Sequence, residues 1–163
     1  MSDVFSLLDL LAELSIALLG FIAVFSVFAR RDGKFSAADK HFIQAMVFDS
    51  VSVTGFAILA NFLNAALDPA QLWFVCAVAF VIVGTLIMVF IAIDQAQMPR
   101  DESQKIHVLW HVGAWASALL AALAVIAAIF GYWSYQLGFV AALCLIFANA
   151  LYCFVAIVFR RFF

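Results

Sequence analysis

The sequence predicts an all-α integral membrane protein built as a bundle of five transmembrane helices. Three observations carry that prediction: the composition, the lengths of the apolar runs and the placement of the basic residues. Of 163 residues, 69% are apolar and only 11% charged. Water-soluble domains run nearer half apolar and a quarter charged, and a chain this small has no interior able to hide the excess. The composition excludes a water-soluble globular enzyme, a disordered segment, a nucleic-acid binder and a disulfide-stapled secreted scaffold. It leaves a chain whose first partner is the lipid bilayer.

A spanning helix needs about 20 predominantly apolar residues. Five runs meet that length, at 4–28, 42–66, 71–93, 107–130 and 135–159. The connections are too short for a soluble domain, so residues 1–163 read as a single transmembrane domain. No run alternates with the period of two that a barrel strand shows, and a helix satisfies its backbone internally, as hydrocarbon demands.

Each element has boundary signals. The first run lacks a basic leader and ends at Arg30-Arg31, so it reads as a span and not a cleavable signal peptide. Ser36-Ala37-Ala38-Asp39 reads as a capping box opening the second. Asp68-Pro69 reads as an N-cap followed by an N1 proline, opening the third. The third span has only Thr85 and Cys76 as polar interior groups and is expected to be the most lipid-exposed. A polar segment containing Pro99 precedes the fourth, Gly131 ends it, and Ser134 caps the fifth. Trp73, Trp110, Tyr132, Trp133 and Tyr135 lie near span ends, where amphipathic rings prefer to sit. Cys76, Cys144 and Cys153 fall inside spans without CxxC spacing and read as small packing residues.

With five spans, Arg30, Arg31, Lys34, Lys40, Arg100, Lys105, Arg160 and Arg161 all fall on one side. The other side carries no basic residue, only Asp3 and Asp68. The positive-inside rule then places the N-terminus outside and the C-terminus in the cytoplasm. An even span count would scatter these charges.

In hydrocarbon the informative residues are the costly ones, since an ionisable group at mid-bilayer costs at least about 2.5–3.5 kcal/mol. Asp9 and Glu13 lie four apart on one face of the first span, an acidic vestibule near its outer end. Ala17, Gly20, Val24 and Val27 continue that face as an apolar constriction, with Arg31 at the exit. Ser50, Thr54, Ala57, Asn61 and Asn64 form a small and polar stripe along the second span, with Asp49 beside it. Such a stripe reads either as helix–helix glue or as a water-lined face. Gly113, Ser117, Ala121, Ala124 and Ala128 form a close-packing seam on the fourth.

Depth counting at about 1.5 Å per residue arranges the polar groups in a column. Asp9, Glu13 and Asn61 lie at the outer end, and Thr54 and Asn149 at mid-depth, Asn149 being level with residues 52–55. Asp49 and His111 lie at the inner end, where the two are expected to pair. His107 and His111 share a face and are the weak metal candidates. A metal site needs three or four ligands, and no third is near, so no cofactor is expected.

The stretch from Leu11-Ala12-Glu13-Leu14 through Leu19-Gly20-Phe21 to Arg30-Arg31 resembles small uncharacterised bacterial multi-pass proteins. The resemblance covers about thirty residues of the N-terminal half. It implies a bacterial inner-membrane location and no activity.

These features lead to an oligomeric ion channel or proton-conducting pore, cation-selective because rings of carboxylates select cations and apolar rings gate by dewetting. The second expectation is a non-catalytic membrane subunit or assembly factor of a larger membrane complex. The third is an intramembrane metal or haem redox protein using His107 and His111. No nucleophile constellation, P-loop or cysteine cluster is present, so the chain is not expected to be an enzyme.

Overall fold

The computed structural model describes residues 2–31, 36–97, 108–131 and 134–162, which are helical apart from turns, with no strand among them. The helices are α1 (Ser2–Arg31), α2 (Ala37–Asn64), α3 (Pro69–Gln97), α4 (Val108–Ile129) and α5 (Tyr135–Phe162). Four of them, α1, α2, α3 and α5, are long and apolar enough to cross a membrane. The fourth in order, α4, has 22 residues and is apolar over Ala118–Ile129.

The helix ends follow from local chemistry. The Ser36 side chain accepts from the Asp39 N–H at 3.1 Å, and the Ser36 N–H donates to Asp39 Oδ2 at 3.2 Å, closing the capping box of α2. Pro69 is the first residue of α3, and the Asp68 carbonyl accepts the Leu72 N–H at 2.9 Å. Gly131 ends α4 with φ +81°, in the left-handed region that favours glycine. The Ser134 hydroxyl accepts from the Leu137 N–H at 3.2 Å and caps α5.

Helices α2 and α5 form the centre. α1 packs against both, α3 lies against α2 and α5, and α4 lies chiefly along α5. One core is an aromatic layer near the α2–α3 turn. Phe139 is fully buried there, with ring centroids 5.9 Å from Trp73, 6.0 Å from Phe56 and 6.2 Å from Phe80. Phe5 stacks on Trp73 at 5.7 Å and ties α1 into this layer. A second core joins Leu18 and Ile22 of α1, Met46 of α2, and Cys153 and Ile157 of α5.

The small-residue seam of α4 is a packing surface: Ala121, Ala124 and Ala128 are buried. Their partner on α5 is Gly138, where a Cβ would lie 2.7 Å from Ala128 Cβ and 2.8 Å from the Ala124 carbonyl oxygen. Small side chains on both helices let the backbones approach this closely. Of the four long helices, α3 buries the smallest share of its residues. Its buried residues (Leu72, Trp73, Cys76, Ala77 and Phe80) all lie in its first half, and Ile82, Leu86, Val89, Phe90 and Ile93 beyond them face outward.

Candidate functional site

Asp49 and Asn149 are brought together at mid-bundle. Each sits within two residues of the midpoint of its 28-residue helix, and each is only 7% exposed. The Asn149 amide nitrogen donates to Asp49 Oδ2 at 2.6 Å. Depth counting puts Asn149 level with residues 52–55, about one turn from where it lies. The discrepancy has a simple cause: α2 ends at Asn64, and Ala65 and Ala66 belong to the turn and not to the span.

The pair forms part of the wall of a partly open cavity of about 430 Å³ between α2, α3, α4 and α5. On α2 the lining runs from His41 to Phe56, which is about 22 Å along the helix axis. Apolar side chains dominate the wall, among them Phe80, Met88, Trp115 and Ile126. At one end it is lined by Phe56 and Phe80 of the aromatic layer, whose centroids stand 5.4 Å apart. Thr85 also lines it, and its hydroxyl donates to the Val81 carbonyl at 2.7 Å within α3.

At the opposite end His41 Nδ1 meets Asp94 Oδ2 at 3.0 Å, joining the start of α2 to the end of α3. His41 is buried and the Asp94 side chain is 38% exposed. Trp115 Nε1 donates to Gln95 Oε1 at 3.4 Å, a long contact between α4 and α3 near the same end. Sequence reasoning missed His41 and Asp94, because both fall just outside the apolar runs and read as interfacial residues. The available signal was a histidine and a carboxylate at facing ends of consecutive spans.

The outer end of the expected column forms in part. Asn61 donates to Asp9 Oδ1 at 2.8 Å and to its own helix at the Ala57 carbonyl, 3.2 Å away. Glu13 does not join them inside the chain: it is exposed, on the outward face of α1. Asp9, Ala17, Gly20, Val24 and Val27 are exposed as well. The buried stripe of the helix is Leu8, Leu11, Ser15, Leu18 and Ile22. At about 100° per residue the two stripes lie on opposite sides of α1.

Along the α2 stripe, Ser50 and Ala57 are buried, Thr54 is half-buried, and Asn61 and Asn64 are exposed. Among the described residues, the Ser15, Ser50 and Thr54 hydroxyls and the Asn149 side-chain carbonyl are buried without a hydrogen-bond partner. His107, the side chains of Arg31, His111 and Ser117, and the surroundings of Gly113 lie outside what the structure describes, so the expected Asp49–His111 pair falls there too. The described partner of Asp49 is Asn149. No group of three or more metal-ligating side chains occurs among the described residues.

No family model, curated protein or solved structure matches the chain.

Proposed function

We propose that the chain is one subunit of an oligomeric, cation-selective channel, with the outward face of α1 turned to a shared pore. The observation that carries this reading is the stripe Asp9–Glu13–Ala17–Gly20–Val24–Val27, which lies opposite the packed face of α1. A carboxylate at Glu13 facing acyl chains costs at least about 2.5–3.5 kcal/mol. Copies of the chain arranged around water remove that cost. They place a ring of carboxylates above a ring of small and apolar side chains, the order that attracts cations and then gates them by dewetting.

In this reading α4 crosses the bilayer as a fifth span. The N-terminus lies outside and all eight basic residues lie in the cytoplasm, which suits a bacterial inner membrane. Asp9 is held at the pore mouth by Asn61, whose amide spans the gap between α1 and α2.

Two measurements on purified chain test the proposal. Its mass in mild detergent is expected to be that of a closed oligomer, and liposomes containing it are expected to pass monovalent cations down a gradient. A monomer with no flux would sink the channel. Co-purification with a larger complex, again without flux, would identify the α1 stripe as a contact surface of a non-catalytic subunit.

A further inference from the structure

The cavity between α2, α3, α4 and α5 receives no residue from α1, so the proposed pore does not use it. Its volume, about 430 Å³, lies in the range of small-molecule sites, and its wall has their composition: mostly apolar, with a few convergent polar groups. We infer that it binds a small lipophilic monocation, a substituted ammonium whose charged head rests beside the Asp49–Asn149 pair and whose apolar body fills the space towards Phe80 and Ile126.

Three features select that chemistry. The first is charge. Asp49 places a carboxylate in the wall, and among the described residues no lysine or arginine lines the cavity. Among the described lining residues the one able to carry a positive charge, His41, is engaged by Asp94 at the far end. An anionic ligand would therefore meet an uncompensated negative group, whereas a cation neutralises it.

The second is hydrogen-bond polarity. The Asn149 amide nitrogen is used on Asp49, while its carbonyl oxygen is buried and unpartnered. The Thr85 hydroxyl proton is used on Val81. What the cavity wall offers a ligand here is chiefly acceptors: the carboxylate lone pairs of Asp49 and the Thr85 hydroxyl oxygen. Ser52 adds a hydroxyl that can turn either way. An ammonium head carries donors and no acceptor, so it matches this set.

The third is shape. The polar groups lie at mid-cavity and the apolar lining extends beyond them to the aromatic end, so a ligand needs one polar head and one apolar body. Aromatic side chains in the wall add to the attraction for a cation.

The test is equilibrium binding to the purified full chain in phosphatidylcholine nanodiscs, with empty nanodiscs subtracted. The probes are phenethylammonium and its neutral isostere 2-phenylethanol. The ammonium is expected to bind saturably and at least about tenfold more tightly than the alcohol, a difference of about 1.4 kcal/mol. Asp49→Asn should erase the difference and Asp49→Glu should keep it. Ala122→Trp, which fills the cavity and leaves Asp49 in place, should abolish binding of both probes. Equal affinity for the two probes, indifference to Asp49→Asn in a folded variant, or no saturable binding would overturn the inference. If Asp49→Asn does not fold, the wild-type comparison and Ala122→Trp still decide it.

Discussion

The Asn149 amide donates to Asp49 across 2.6 Å, linking the centres of two helices that are one hundred residues apart in sequence. This bond joins the two central elements of the bundle near their midpoints. Asn149→Leu leaves a buried carboxylate without its donor, and stability is expected to fall by about 1–3 kcal/mol. Replacing both residues by leucine removes the stranded group as well. The double variant should therefore melt higher than the sum of the two single losses predicts. Apparent melting midpoints of the four proteins in one detergent check this, and strict additivity would show that the two side chains are not coupled.

Close approach of α4 and α5 depends on Gly138. In Gly138→Ala the new methyl would meet a backbone carbonyl at 2.8 Å and the Ala128 Cβ at 2.7 Å. Neither is the far end of a flexible side chain, so the helices must separate. The expected loss is about 1–3 kcal/mol. Gly55→Ala and Gly84→Ala are the controls, because nothing lies within 4 Å of either added methyl. Both should hold or raise the melting midpoint, since alanine favours helix by about 1 kcal/mol over glycine. A Gly138→Ala variant as stable as these two would refute the close packing.

Much of this architecture was legible in the sequence because hydrocarbon leaves few alternatives. Apolar length located the helices, while Ser36-Asp39, Asp68-Pro69, Gly131 and Ser134 marked their ends through chemistry that acts within four residues. The small seam Ala121–Ala124–Ala128 was legible for the same reason, since its period is a property of one helix. Pairing between helices was harder. Asp49 and Asn149 were each conspicuous as polar groups in apolar runs, yet their meeting depends on where α2 ends, and the terminal Ala65-Ala66 conceals that boundary by being apolar and non-helical. The cavity was not legible at all, because it depends on how four separate helices pack together.

Under the proposed channel, Glu13 is the residue whose substitution tests conduction most directly. A unit charge about 6 Å from an ion path in water is worth about 0.7 kcal/mol, roughly a threefold change in local cation concentration. Glu13→Gln removes one such charge per subunit and keeps the side chain's size. Cation flux is expected to fall at least about threefold, with the oligomer mass unchanged. Asp9→Asn keeps an oxygen to accept from Asn61 and should act in the same direction. Conductance and ion preference that survive both substitutions would remove the vestibule.

Orientation and span count can be tested together, and α4 is the critical element. If it crosses, residues 105 and 132 lie on opposite sides of the membrane, and every basic residue shares one side. If it folds back, Arg160 and Arg161 are carried to the other side and the charge asymmetry is lost. Single cysteines replacing Lys34, Asp68, Lys105 and Tyr132 separate these cases, with a membrane-impermeant maleimide as the reporter. The native thiols give little background: Cys76 and Cys153 are buried, and Cys144 is half-buried within α5. In intact cells Asp68→Cys and Tyr132→Cys are expected to react, while Lys34→Cys and Lys105→Cys should react only after the membrane is opened. Reaction of Lys34→Cys in intact cells would invert the topology, placing eight basic residues outside against the positive-inside rule. Protection of Tyr132→Cys with normal reaction of Asp68→Cys would leave four spans. The ring would then still have α1 available to line it, but its C-terminal arginines would stand at the outer surface.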